Sequence, residues 1–165
     1  MSKNYWPMGI FLFSLVVVGM IILTIKTAIN NPVEIQRMCG FTSQYVDENI
    51  NEITIKRNEF LEKYNISFEG SRDVDFKSFT TTFVRIKDKV TNKIITDAEI
   101  KFYLTRPNTT RNDMELGVGE LVDGLYQSPR FKVDIAGRWQ MDASVRINDD
   151  YICISENYNV SKVEF

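Results

Sequence analysis

The side chains best suited to covalent or metal chemistry are the two cysteines, Cys39 and Cys153, and their placement argues for a structural part. They lie far apart, and neither has a CxxC or CxxxC neighbour, so no redox or zinc motif is present. On the oxidising face of a membrane they would form a disulfide; as buried free thiols they would act as small apolar groups, and the sequence leaves both readings open. There are 0 histidines, which removes the commonest general base and the commonest imidazole metal ligand. The charged groups Arg72, Asp73, Asp75 and Asp113, Glu115 lack metal-ligand spacing, and Met8, Met20, Met38, Met114 and Met141 are too scattered for a methionine copper site. No nucleophile sits at motif spacing from a base. The expectation is a non-catalytic protein with no cofactor or metal of its own. With 20 basic against 22 acidic side chains, nothing advertises a nucleic-acid partner. Asn-x-Ser/Thr triplets at Asn65, Asn108 and Asn159 carry no weight in an asparagine-rich chain.

If the residues do no chemistry, the elements that place them become the subject. From Ile10 to Ile25 there is no charge, and Trp6 to Met8 extend this run to roughly the 20 residues that cross a hydrocarbon core. The reading is a transmembrane helix with the lipid bilayer as its first partner. Tyr5 and Trp6 stand where interfacial aromatics belong, Pro7 suits the first helical turn, and Lys26 can snorkel at the far end. A cleaved signal peptide is the rival reading, since Lys3 precedes the apolar run. The run is too long for that, and Lys26 sits awkwardly before the small pair Thr27 and Ala28. Lys3 and the amino terminus face Lys26 and Arg37 across the span, a slight bias toward a cytoplasmic N-terminus. Gly9, Ser14 and Gly19 are small contact residues without a GxxxG face.

Asn30, Asn31 and Pro32 form a turn cluster that should end the span. Val46, Ile50, Ile53, Phe60 and Tyr64 then recur at helical intervals, predicting a helix from about Asp47, acting as cap, to Lys63. Its charges Lys56, Arg57 and Glu59 read as a solvated face. Beyond it the period drops to two. Strands are expected from Tyr64 to Phe68, Phe79 to Phe83, Glu99 to Thr105, Glu115 to Val122, Tyr126 to Val133, Gly137 to Ile147 and Tyr151 to Ser155. In the clearest, Trp139, Met141, Ala143, Val145 and Ile147 share a core face, while Gln140, Asp142, Ser144 and Arg146 share a wet one. About seven short strands with frequent turns suggest an immunoglobulin-like antiparallel β-sandwich preceded by an α-helix. Tyr126, Gly137 and Trp139 are its expected structural core. Asp123, Gly124 and Tyr126 resemble a tyrosine corner, or equally a hairpin turn with a half-buried tyrosine. The organisation read from the chain is thus a cytoplasmic N-terminus and anchor over 1–31, a juxtamembrane helical segment over 32–64 and an extracytoplasmic β-sandwich over 65–165.

The order of these pieces resembles the FixH family, also called CcoH. The opening Tyr5, Trp6, Pro7 and its span carry the likeness first. Asn31, Pro32, Val33 and the run Asp47, Glu48, Asn49, Ile50, Asn51, Glu52, Ile53 resemble its ε-proteobacterial branch. Gly124 with Tyr126, and Gly137, Arg138 and Trp139, resemble its Gly-x-Tyr and Gly-Arg-Trp patterns. The resemblance implies an accessory protein of a cbb-type haem-copper cytochrome oxidase in the bacterial inner membrane, acting in assembly or stability, with its outer domain periplasmic. Its implied partners are the oxidase membrane subunits, with copper-delivery machinery nearby in the pathway. Tyr5, Trp6, Pro7 and Gly9 would dock the anchor on those subunits. The competing expectation is a membrane-anchored immunoglobulin-like module of a cell-envelope, secretion or adhesion system, which would bind protein or polymer independently of haem.

Overall fold

The computed structural model describes residues 4–30 and 37–161, which fall into two compact units divided between Glu34 and Ile35. The first unit contains the helix α1, Trp6–Asn30, long and apolar enough to cross a membrane. Its hydroxyl side chains are satisfied within the helix. The hydroxyls of Ser14, Thr24 and Thr27 each donate to the carbonyl four residues back at 2.9 Å, as an apolar solvent requires. Of the cluster expected to end the helix, Asn30 is its last residue, while Asn31 and Pro32 lie outside the described residues, as do Val33 and Lys3.

The second unit begins with a hairpin of β1, Arg37–Met38, and β2, Phe41–Thr42. Two helices follow, α2 at Ser43–Glu48 and α3 at Ile50–Lys63. The expected single helix is therefore two, and Asp47 is not its cap. Thr42 caps α2 instead, accepting from the Tyr45 amide at 3.3 Å. Asn49 separates them because its side-chain amide takes the Tyr45 carbonyl at 2.9 Å, a local bond that competes with helical continuation. α3 is part of the folded unit, not a separate linker, because Phe60 is wholly buried in the core and Leu61 packs beside it.

Eleven strands complete the unit. They are β3 Tyr64–Glu69, β4 Asp73–Asp75, β5 Phe79–Thr80, β6 Phe83–Asp88, β7 Glu99–Arg106, β8 Thr109–Val118, β9 Glu120–Val122, β10 Leu125–Gln127, β11 Phe131–Lys132, β12 Gly137–Ile147 and β13 Asp150–Ser161. One sheet runs β3-β6-β10-β9 and is antiparallel; the other runs β4-β13-β12-β7-β8, antiparallel except that β4 lies parallel to β13. β5 and β11 form a short ribbon. Val84, Ile86 and Tyr126 from the first sheet join Phe102, Leu104, Trp139 and Ile152 from the second in one buried cluster. This is the antiparallel sandwich with a preceding helix that the alternation predicted.

Four further expectations need correction. Phe79 to Phe83 is not one strand: β5 pairs with β11 and β6 with β3, so Thr81 and Thr82 form the corner between them. Phe79 is consequently exposed, whereas Thr82 is buried, its amide donating to Ser128 Oγ at 3.0 Å and its hydroxyl bonding Tyr158 Oη. The expected strands at Glu115 to Val122 and Tyr126 to Val133 are each broken, the first at Gly119 and the second between Gln127 and Phe131. A Cβ on Gly119 would lie 2.5 Å from Phe102 Cε2, so the backbone can turn here only without one. Asp142, placed on the wet face, is fully buried; Ser155 Oγ and Gln140 Nε2 both donate to its Oδ1, at 2.6 and 2.8 Å. It is enclosed because its cross-strand neighbour Tyr103 lies under Gly40 of the β1-β2 hairpin.

Candidate functional site

The helix α1 carries the four residues expected to dock. Tyr5 stands just before it and Trp6 opens it; both are largely exposed, Pro7 occupies the second position, and the Gly9 amide bonds the Tyr5 carbonyl at 3.1 Å. Asn4 Oδ1 accepts from the Trp6 amide at 3.1 Å, satisfying a helix-end donor for which Pro7 has no counterpart. Tyr5, Trp6, Gly9, Ile10 and Phe13 fall on one side and border a shallow, open notch of about 510 Å³. Gly9 lies at its floor, where the lack of a side chain leaves open space. An apolar recess rimmed by an indole and a phenol can accept a packing side chain from another membrane helix.

In the second unit Cys39 and Cys153 form a disulfide. The bond fastens the β1-β2 hairpin onto β13, and the aromatics around it complete the attachment. Phe41 stacks on Tyr45 at 5.0 Å and meets Tyr151 edge-on at 5.7 Å. Burial pushes the Tyr151 phenol above its usual range. Between this hairpin, α3 and β13 lies an apolar hollow of about 230 Å³, walled by Phe41, Tyr45, Val46, Ile53 and Tyr151. A second hollow of about 400 Å³ runs between β3 and the Cys153–Glu156 stretch of β13, and the two share Met38, Arg57 and Cys153. At its far end Arg72 grips Glu156 through two nitrogens, at 2.9 and 3.3 Å. On the rim Glu52 is held below the usual carboxylate range by the Lys56 ammonium.

The remaining candidates are framework. Trp139 is 2 % exposed and its indole donates to the Ile135 carbonyl at 2.9 Å. Gly137 opens β12 with φ +119, a conformation that suits glycine. Tyr126 Oη accepts from the Ala98 amide at 2.9 Å and donates to the Ile95 carbonyl at 3.2 Å, pinning the loop before β7. That bond resembles a tyrosine corner in kind, but it reaches some thirty residues upstream instead of a few. Among the described residues no three His, Cys, Asp or Glu side chains converge.

Sequence reasoning missed the hollows. Phe41 and Tyr45 sit in a hairpin and a one-and-a-half-turn helix too short to show a period, and Arg57 read as an ordinary solvated charge. The helical spacing of Glu52, Ile53, Lys56 and Arg57, one face of α3, was the available signal.

The likeness to solved structures is distant. The chain is 10 % identical to the Lin-41 filamin domain over 58 % of its own length and 91 % of that chain, with TM-score 0.39. It is 10 % identical to a superoxide reductase (neelaredoxin) from Ignicoccus hospitalis over 63 % and 86 %, with TM-score 0.45. Against the CARDB domain of PF1109 from Pyrococcus furiosus the identity is 13 % over 59 % and 94 %, with TM-score 0.36. No curated protein matches the sequence. The FixH family model matches residues 3–152, taking in the apolar helix, the disulfide hairpin and most of the sandwich, and the chain therefore belongs to the FixH family.

Proposed function

We propose that this chain is a non-catalytic membrane accessory protein that assists assembly or stability of a cbb-type haem-copper cytochrome oxidase, in the manner of the CcoH proteins of the ε-proteobacterial branch. The observation that carries the reading is the family match, which spans the anchor as well as the sandwich. The notch around Gly9 supports a helix that packs on other membrane helices, because such association rests on close fit more than on hydrophobicity. The oxidase membrane subunits are the partners, with copper-delivery machinery acting nearby. Replacing Tyr5 to Ile25 with an unrelated span should weaken the complex. The test is mild-detergent solubilisation and pull-down, reading co-purified haem absorbance beside oxidase activity in membranes. Equal haem recovery by the swapped protein would move docking to the outer unit, and no recovery by either protein would remove the stable-subunit reading.

The same reading puts the N-terminus in the cytoplasm and the second unit in the periplasm of the bacterial inner membrane. The Cys39–Cys153 bond supports this, since disulfides persist on the oxidising side. Protease added to intact spheroplasts should degrade the region after Asn31, and thiol alkylation before lysis should leave both cysteines unlabelled. Protection from protease, with both thiols labelled only after lysis, would reverse the orientation.

A further inference from the structure

The two sheets end in four edges, and three of them are guarded against pairing. β4 and β9 are three residues each, too short to template a strand, and β8 is interrupted by register shifts and carries Arg111, Asp113 and Glu115. β3 differs. Its six residues pair with β6 in unbroken register, contain no proline or lysine, and are uncharged until Glu69. No described strand covers its other side. The larger hollow runs along that open side, past Ile66, Ser67 and Phe68, with β13 as the opposite wall. We infer that β3 is a strand-addition site, receiving an extended segment of a different polypeptide that carries one bulky apolar residue and one carboxylate.

Each requirement answers a feature of the surface. Outward backbone groups of an edge strand are completed only by another extended backbone, which gives affinity, while recesses beside the strand read alternate side chains. The apolar hollow between Tyr45, Ile53 and Tyr151 takes the bulky residue. Arg57, where the two hollows meet, is exposed, and no described carboxylate pairs with it, whereas Arg72 is already held by Glu156. The carboxylate therefore belongs at Arg57. A second copy of this chain is a poorer occupant, because the one carboxylate of its β3, Glu69, is already paired with Arg85 at 3.1 Å.

The test uses the full chain in nanodiscs and an acetylated, amidated octapeptide of alternating valine and threonine bearing one phenylalanine and one glutamate. Binding should slow amide hydrogen exchange selectively across Tyr64–Glu69, and the same peptide N-methylated at alternate amides should not bind. Arg57→Glu, a change at an exposed position, should weaken binding by about fivefold, the scale of one exposed ion pair. Ser67→Asp, which sets a charge beside the edge while leaving the protein's melting curve unchanged, should weaken it further. Undiminished binding of the N-methylated peptide, exchange unaltered in β3, or no binding at millimolar peptide overturns the inference. Protection of β3 that grows with protein concentration without peptide also overturns it, in favour of a second copy. None of these readouts involves an oxidase, so their failure leaves the functional reading standing, and failure of the haem pull-down leaves this one standing.

Discussion

Trp139 shows how a single side chain is legible from sequence. It opens the longest regular alternation in the chain, and its burial with Met141, Ala143 and Val145 follows from period two alone. Its indole bond to the Ile135 carbonyl satisfies the one polar atom that burial would otherwise strand. Trp139→Ala should cost about 3 to 5 kcal/mol, leaving a cavity beside Tyr158 across the strand pair. Denaturant unfolding of the detergent-solubilised chain, followed by far-ultraviolet circular dichroism of the β signal, measures this, and an unchanged midpoint refutes it. Asp142, three residues on, was not legible. Alternation assigns it to a wet face, and only the folded hairpin with Gly40 above Tyr103 removes that face from water. Cys39 and Cys153 stood between the two cases, since their types were plain but their pairing depended on a fold that brings residue 39 to β13.

Among the elements, long regular ones were readable and short ones were not. α1 and β12 each impose one pattern over many residues, so neighbouring deviations average out. β1, β2, β5 and β11 are two residues each; β5 and β11 exist only because each pairs with the other across the chain, and β1 and β2 form a hairpin too short to show a period. The break between β8 and β9 has a cause that can be tested. Gly119 donates its amide to the Ile100 carbonyl at 2.8 Å while its Cα faces the Phe102 ring. Gly119→Ala should drive a methyl into that ring and the Gln127 carbonyl, destabilising the unit by about 1 to 3 kcal/mol. Adding Phe102→Leu should recover part of the loss by making room. A double variant no more stable than Gly119→Ala alone would place the strain elsewhere.

For the folded unit as a whole, three buried phenols set an alkaline limit. Desolvation raises Tyr126, Tyr151 and Tyr158 above the ordinary tyrosine range, opposed in part by the Ala98 amide at Tyr126 and by Thr82 at Tyr158. A group whose folded value is raised keeps its contribution below the unfolded value and loses it as pH climbs through the folded one. Stability should therefore be level up to about pH 10 and fall above it. Thermal melts from pH 8 to 11.5 measure this, and Tyr158→Phe should flatten the decline; a curve unaffected by pH would contradict the assignment. The disulfide has a further consequence, a mechanical one. Cys39 and Cys153 are 114 positions apart, and the bond enters the chain's longest strand, β13. Tension drawn through residue 37 reaches β13 across two sulfur atoms, on a covalent path that bypasses every strand from β3 to β12. Such a pull is handed to β13 by a short covalent strut, and it loads the pairing of β13 with β12 and β4 before it reaches the rest of the sandwich.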